Sequence, residues 1–259
     1  MSRVHATAIV DAKAKLGADV TVGPYTVIDG EVEVGEGTTI GAHNVITGRT
    51  KIGRDNRIFH FCSIGEANQD KKYAGEPTAV EIGDRNTIRE YVSINRGTAQ
   101  DAGVTRIAHD NWIMAYVHIA HDCQVGSDTV FANNATLAGH VEIGDHAVLG
   151  GFVGVHQFVK VGAHVMAGIS SVVTQDVPPF ITIAGNPTAP HGVNAEGLKR
   201  RGFSADAIAA LKRAYKTLYK SGLTLAEART ELDRQGAGSP EVRAFADFIG
   251  RSTRGILRG

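Results

Sequence analysis

The chain holds 259 residues, enough for one large domain or one with a small appendage, and its 27 Lys and Arg balance 27 Asp and Glu, so no global field draws it to nucleic acid or membrane. Its two cysteines, Cys62 and Cys123, form neither a CxxC pair nor a spaced framework, which argues against a disulfide scaffold or a structural zinc and for reduced packing residues. The 31 glycines, against 7 prolines and 6% aromatic residues, suit neither a helical bundle nor an aromatic-rich sandwich and ask for many tight turns.

The N-terminal run MSRVHATAIVDAKAKLG has no apolar stretch with a cleavage site, and no apolar run reaches the roughly 18 residues of a spanning helix. A cytoplasmic chain without a membrane span is expected. From Val4 an aliphatic residue recurs at every sixth position through Val10, Leu16, Val22, Ile28, Val34, Ile40, Ile46, Ile52 and Ile58 to Ile64. The frame continues at Ile82, Ile88 and Ile94, slips by one, and runs on from Ile107 to Val173. Segments such as IGRDN, IGDRN and VGSDT put a glycine after the aliphatic residue, where Gly followed by Asp or Asn marks a turn. One strand and one turn per hexad make a flat face. Three faces close a triangular coil of eighteen residues with parallel strands about 4.8 Å apart, a parallel β-helix.

Two stretches break the frame, EANQDKKYAGEPTA at 66–79 and NRGTAQDAGVTR at 95–106. They carry polar residues where the core needs aliphatics, and so loop out of the coils, where a rigid solenoid commonly builds a binding face. Simple tolerated insertion is the alternative.

Residues eighteen apart stack on consecutive coils. His121 therefore stacks with Gly139 and Gln157, flanked by a column of Asp122, His140 and Phe158 and a column of Ala120, Ala138 and His156. With His118, this concentrates imidazoles and amides on one strip. An imidazole can take a proton from a hydroxyl near cellular pH. Asp122 could hold the His121 ring, although neighbouring side chains in a strand point apart, and Gly139 could offer its N–H to an oxyanion. His5, His43, His60, His109, His146 and His164 are read as surface or internally bonded residues. Zinc between subunits, as in γ-class carbonic anhydrases, is the competing use of such imidazoles. Asn133, Asn134 and Gln157 nearby suit a sugar better, so no metal is assigned.

The repeat fails after DVPPF at 176–180. Helical spacing of Ile208, Leu211, Tyr215, Leu218 and Tyr219 follows Ser204, Thr224 and Glu227 make a capping box, and Ser239, Pro240 and Glu241 open a further helix. The division is thus 1–190, a β-helix with two external loops, and 191–259, a small helical domain. Residues 1–190 hold 14 basic and 20 acidic side chains, residues 191–259 hold 13 and 7. The basic tail, with Lys199, Arg200, Arg201, Lys212, Arg213, Lys216 and Lys220, is either a solvated face or a dock for an acidic partner.

HIAHDCQVG, NNATLAGHVEIGD, HQFVKVGAHVMAG, QDVPP and GVNAEGLKRRGFS, together with QDKKYAGEPT and SINRGT, resemble the bacterial UDP-N-acetylglucosamine 3-O-acyltransferases, which make the first step of lipid A synthesis. The resemblance covers essentially the whole chain. It implies a left-handed coil, against the usual right-handed crossover, and a homotrimer with active sites between subunits. It further implies that His121 is the general base drawing the proton from the 3-hydroxyl of UDP-N-acetylglucosamine as that oxygen attacks the thioester of (R)-3-hydroxyacyl-acyl carrier protein. Asp122 would orient His121, and the Gly139 N–H would steady the oxyanion. Gln69, Asp70, Lys72, His118, His140 and His156 would hold the sugar nucleotide and Gln157 the acyl 3-hydroxyl. Asn194, Glu196, Arg200 and Arg201 would lie by uridine, phosphate or the phosphopantetheine arm. No cofactor beyond that carrier-borne arm is implied.

Two departures bear on specificity. Asn95 replaces a histidine in SINRGT and is assigned a substrate contact at most. Ile169 stands where members that accept longer chains have glycine, so ten or twelve acyl carbons are expected rather than fourteen. Against an acidic carrier, docking by Lys212, Arg213 and Lys216 becomes the preferred reading of the tail. The later N-acyltransferase of the same pathway has an N-terminal uridine-binding domain for which hexads starting at Val4 leave no room. A non-catalytic scaffold would explain the coils but not the polar strip.

Overall fold

In the computed structural model, which describes residues 2–258, the chain winds as a left-handed parallel β-helix that ends in a group of α-helices. The aliphatic hexad positions are the inward ends of short strands. Arg3–Val4, Ile9–Val10 and Lys15–Leu16 start the first, second and third faces, which contain eleven, nine and eight strands among the described residues. Away from the insertions and the C-terminal end of the first face, strands within a face pair in parallel with register eighteen apart, as in Val130↔Val148 and Thr136↔Gly154. From Val22 onward each hexad buries two side chains, the strand residue and one two positions earlier, such as Val117 with Ile119 and Cys123 with Val125. Both cysteines are therefore core residues, and burial pushes their thiols up to about 11 for Cys62 and about 12 for Cys123, which makes them inert.

The turns differ from their expected form. Gly65 (φ 80) apart, the glycines after the aliphatic positions do not supply the positive φ. That falls two residues later, on side chains such as Asp55 (φ 55), Asp122 (φ 59), Asn134 (φ 63) and His140 (φ 61). The glycine is required for space: a Cβ on Gly35 would sit 2.9 Å from the Arg54 nitrogen on the next coil.

The interior is not wholly aliphatic either. Asn56, Asn86 and Asn111 form a buried column in which the Asn56 Oδ1 accepts the Asn86 N–H at 2.9 Å and the Asn86 Oδ1 accepts the Asn111 N–H at 3.0 Å. Thr129 continues it, donating its N–H to the Asn111 Oδ1 at 2.8 Å. Each amide satisfies a backbone donor on the next coil, which disfavours slippage between coils.

Both frame breaks leave the coils on the edge between the second and third faces. Strand Ser63–Glu66 is followed by Ala79–Ile82, and Ser93–Asn95 by Val104–Ile107, so the register widens to Ser63↔Ser93 and then Ser93↔His118. At the far end Ile181–Ala184 turns back on Ala189–Val193 as an antiparallel pair. There follow α1 (Ala195–Arg200), α2 (Ala205–Tyr219), α3 (Leu225–Gly236) and α4 (Pro240–Gly250). Side chains of Asn194, Ser204, Thr224 and Ser239 cap them in turn, satisfying amides that a helix start leaves open. The hairpin and α1 carry no hexad or long apolar period and were not anticipated. Buried Asp176 gathers the tail, accepting from Ser252 Oγ at 2.7 Å, from the Thr253 N–H at 3.0 Å and from the Lys160 N–H at 2.8 Å. No helix among the described residues is long and apolar enough to cross a membrane.

Candidate active site

The edge that expels both loops also carries His121, Asp122, Gly139, His140, Gln157 and Phe158. His121 and Asp122 do not lie in a strand. They form the turn itself, and the positive φ of Asp122 swings consecutive side chains together instead of apart, so His121 Nδ1 meets Asp122 Oδ2 at 2.9 Å. The objection that neighbouring strand side chains diverge does not apply at a corner.

Asp122 is sequestered. Its side chain is 0% exposed and His121's is 13%. Thr98 of the second loop donates its N–H to both carboxylate oxygens at 3.0 Å and its hydroxyl to Oδ2 at 2.7 Å. Burial alone would raise the Asp122 carboxyl, but the bonds from His121 and Thr98 outweigh it and hold the group below its ordinary value. An ionised carboxylate only accepts. The proton of a neutral His121 therefore sits on Nδ1, and Nε2 is left as a base.

Gly139 on the next coil makes room for that ring. A Cβ there would lie 2.6 Å from His121 Nε2 and 3.0 Å from Nδ1. Its N–H donates to no acceptor among the described residues. Gly97 has a similar task beside Asp122, since a Cβ on it would stand 2.7 Å from Oδ1.

A cleft of about 410 Å³ opens here, lined by Gln69, Asp70, Lys72, Asn95, His118, Ala120, His121 and Gln157. The first loop thus faces the imidazoles. Asp70 Oδ1 turns that loop by accepting the Lys72 N–H at 3.0 Å. Buried Asn95 anchors its base, donating from Nδ2 to the Ala67 carbonyl at 3.2 Å. His118 Nδ1 bonds Ser93 Oγ at 2.8 Å, and burial followed by the neighbouring His121 holds this imidazole below its usual value. It is therefore neutral near pH 7 and suited to hydrogen bonding.

His140 stacks on Phe158 with centroids 4.4 Å apart and meets His121 edge-on at 5.0 Å. Its Nδ1 lies 2.7 Å from Asp101 Oδ2 and its Nε2 3.8 Å from Asp122 Oδ2. His156, on the coil above Ala138, is flanked by Arg254 of the C-terminal segment at 3.3 Å.

Ligand atoms of His121, Asp122 and His140 lie within 4.8 Å of one another. The donors from Thr98 and His121 already meet the Asp122 oxygens, so the set is built as a hydrogen-bonded relay, and an ion there would displace the bond that orients His121.

Asn194, Glu196, Arg200 and Arg201 are not brought to this cleft within one chain. Asn194 caps α1 and donates to the His164 carbonyl at 3.0 Å, and Arg201 Nη1 reaches His146 Nδ1 at 2.7 Å. They lie by the edge between the third and first faces, where His146, His164 and Phe180 stack. His146 is thus internally bonded, through Arg201. Ile169, 71% exposed, occupies the remaining edge, between the first and second faces. The contacts of Thr98, Asp101 and Arg254 were not foreseen. Coil arithmetic does not extend into insertions or the tail, and the polar makeup of 95–106 was the only signal.

The C-terminal part of the chain, residues 176–257, matches the family model described as UDP N-acetylglucosamine O-acyltransferase, domain 2, and residues 13–48 and 105–139 match the bacterial transferase hexapeptide repeat. The acyl-[acyl-carrier-protein]–UDP-N-acetylglucosamine O-acyltransferase of Thiobacillus denitrificans is 66% identical, and that of a Janthinobacterium 61%, each over 100% of both chains. Among solved structures, LpxA from Acinetobacter baumannii has a TM-score of 0.97 at 45% identity, covering 98% of this chain and 99% of that one. The Francisella novicida UDP-N-acetylglucosamine acyltransferase also has a TM-score of 0.97, at 42% identity over 99% and 94%.

Proposed function

The chain belongs to the UDP-N-acetylglucosamine O-acyltransferase family, and from that premise we infer that it transfers an (R)-3-hydroxyacyl chain from acyl carrier protein to the 3-hydroxyl of UDP-N-acetylglucosamine, the first step of lipid A synthesis. The observation that carries the mechanism is the buried Asp122 bonded to His121 Nδ1, which leaves Nε2 as a base at the mouth of the cleft.

His121 Nε2 takes the proton as the sugar oxygen bonds to the thioester carbonyl carbon, and the carbonyl oxygen becomes an anion. Asp122 steadies the imidazolium so formed, and the Gly139 N–H stabilises the oxyanion. On collapse the carbon–sulfur bond breaks, and His121 returns its proton to the departing phosphopantetheine thiolate. Gln69, Asp70, Lys72, Asn95, His118, His140 and His156 hold the sugar nucleotide, and Gln157 meets the acyl 3-hydroxyl. The reaction needs no metal or further cofactor, and its carrier and nucleotide substrates place it in the cytoplasm.

Asn194, Glu196, Arg200 and Arg201 then act from a neighbouring copy, in a homotrimer with the active sites between subunits. Two features support this reading. These residues occupy a different edge from His121, and Tyr25, Phe61, Tyr91, Tyr116 and Phe152 leave the first–second edge apolar and exposed, as an association surface does. Lys212, Arg213 and Lys216 on α2 are exposed and dock the acidic carrier.

The deciding experiment is His121→Ala assayed with purified carrier and nucleotide. Turnover should fall by about 100- to 10,000-fold with the fold intact by circular dichroism, and a loss below tenfold would refute the assignment.

A further inference from the structure

The second loop grips the active-site edge at two points three residues apart. Thr98 holds Asp122, and Asp101 reaches His140, whose Nδ1 lies 2.7 Å from its Oδ2. The other Asp101 oxygen accepts the Ala102 N–H at 2.8 Å, so the carboxylate is braced by its own loop while it faces the ring.

Stacking on Phe158, at an interplanar angle of 12°, fixes the plane of the His140 ring. It does not decide which ring edge points where, because a half-turn about the Cβ–Cγ bond leaves the stack unchanged. A carboxylate decides that, since it accepts and cannot donate. It selects the orientation and the tautomer with a proton on Nδ1, leaving Nε2 on the side of Asp122, 3.8 Å away. Asp101 is 50% exposed, and exposed pairs of this kind add little to stability. Its value lies in what it does to the ring.

We propose that Asp101 is a positioning residue that sets the tautomer and ring orientation of His140, so that Nε2 faces the bound sugar nucleotide. The proposal rests on the assignment of His140 to that substrate. Because the bond exists before and throughout the reaction, its loss should weaken substrate binding and leave the chemical step alone.

The test compares Asp101→Ala, Asp101→Asn and His140→Ala by steady-state kinetics in UDP-N-acetylglucosamine, together with ¹⁵N spectra of labelled imidazoles in the full-length protein. Asp101→Ala should raise KM about tenfold, the worth of a charge-assisted hydrogen bond, with kcat within twofold and the unfolding midpoint unmoved. Asp101→Asn should restore KM, because its amide oxygen still accepts from Nδ1–H. The spectra should show Nδ1 protonation in the wild type and in Asp101→Asn, and a mixture of tautomers in Asp101→Ala. Unchanged tautomer populations in Asp101→Ala would overturn the proposal. So would a wild-type KM in Asp101→Ala when His140→Ala raises it. An unchanged KM in His140→Ala would instead remove His140 from the substrate site, and the tautomer spectra would still decide what Asp101 does.

Discussion

Gly139→Ala isolates the geometry on which the proposed chemistry depends. The new Cβ would lie 2.6 Å from His121 Nε2 and 3.0 Å from Nδ1, where ordinary contact begins at 3.4 Å, so the imidazole must retreat by about 1 Å. Asp122 cannot follow, because three bonds from Thr98 hold its carboxylate. The 2.9 Å bond from His121 Nδ1 therefore stretches beyond hydrogen-bonding range. A displacement of that size costs about 100-fold in rate, or about 2.7 kcal/mol of transition-state stabilisation. The alanine keeps its N–H, so a loss cannot be blamed on a missing oxyanion donor. The assay is kcat/KM with saturating carrier substrate, paired with thermal unfolding. We expect a fall of about two orders of magnitude with a midpoint lowered by no more than a few degrees. Retention of kcat/KM within threefold would refute the argument that Gly139 is there to seat His121.

Other outcomes follow from the same structure. Ile169→Gly should move the acyl preference from ten or twelve carbons toward fourteen, each methylene being worth about 1 to 3 kcal/mol. An unchanged ranking of C10, C12 and C14 carriers would sink the reading of Ile169 as the residue that limits acyl length. If each site draws on two copies, as proposed, mixing His121→Ala copies with Arg201→Ala copies should restore activity at up to about a quarter of the sites. No recovery would place both groups in one chain's site. The KM for acyl carrier protein should rise several-fold with added salt, as docking between unlike charges is screened, and indifference to salt would dismiss the role of Lys212, Arg213 and Lys216.

Stability should also depend on His164. Burial first, then the charges of His146 and Arg201, hold it at about 4 against an ordinary 6.5, with Asp145 opposing. The folded state thus favours the neutral ring. Its contribution is complete above pH 6.5 and is lost as pH falls toward 4, by no more than about 2 kcal/mol once solvent screening of a half-buried ring is allowed for. Urea unfolding from pH 7.5 down to 4.5 should show the decline in wild type and a flatter profile in His164→Phe, and identical slopes would contradict the sign.

How far the sequence reaches follows from how local the causes are. The hexad from Val4 to Val173 specifies coil length, the inward residues and the stacking of Gly139 over His121, because each is a matter of phase along one chain. Ser204, Thr224 and Ser239 announce their helices, because a cap needs only the amides within the next three residues. The purpose of the glycines was misjudged, since a clash between Gly35 and the next coil is invisible to turn propensity. The Asn56–Asn86–Asn111 column was missed because a polar residue reads as exposed until its partners on neighbouring coils are in place.

Tertiary structure alone decided three further matters: that Thr98 and Asp101 close on Asp122 and His140, that consecutive His121 and Asp122 face each other at a corner, and that Arg201 lies on another edge from His121. A repeat carries position forward only while its phase is unbroken. Once an insertion or a helical tail interrupts it, which side chains meet depends on backbone direction and reach in three dimensions, and no spacing along the chain encodes those.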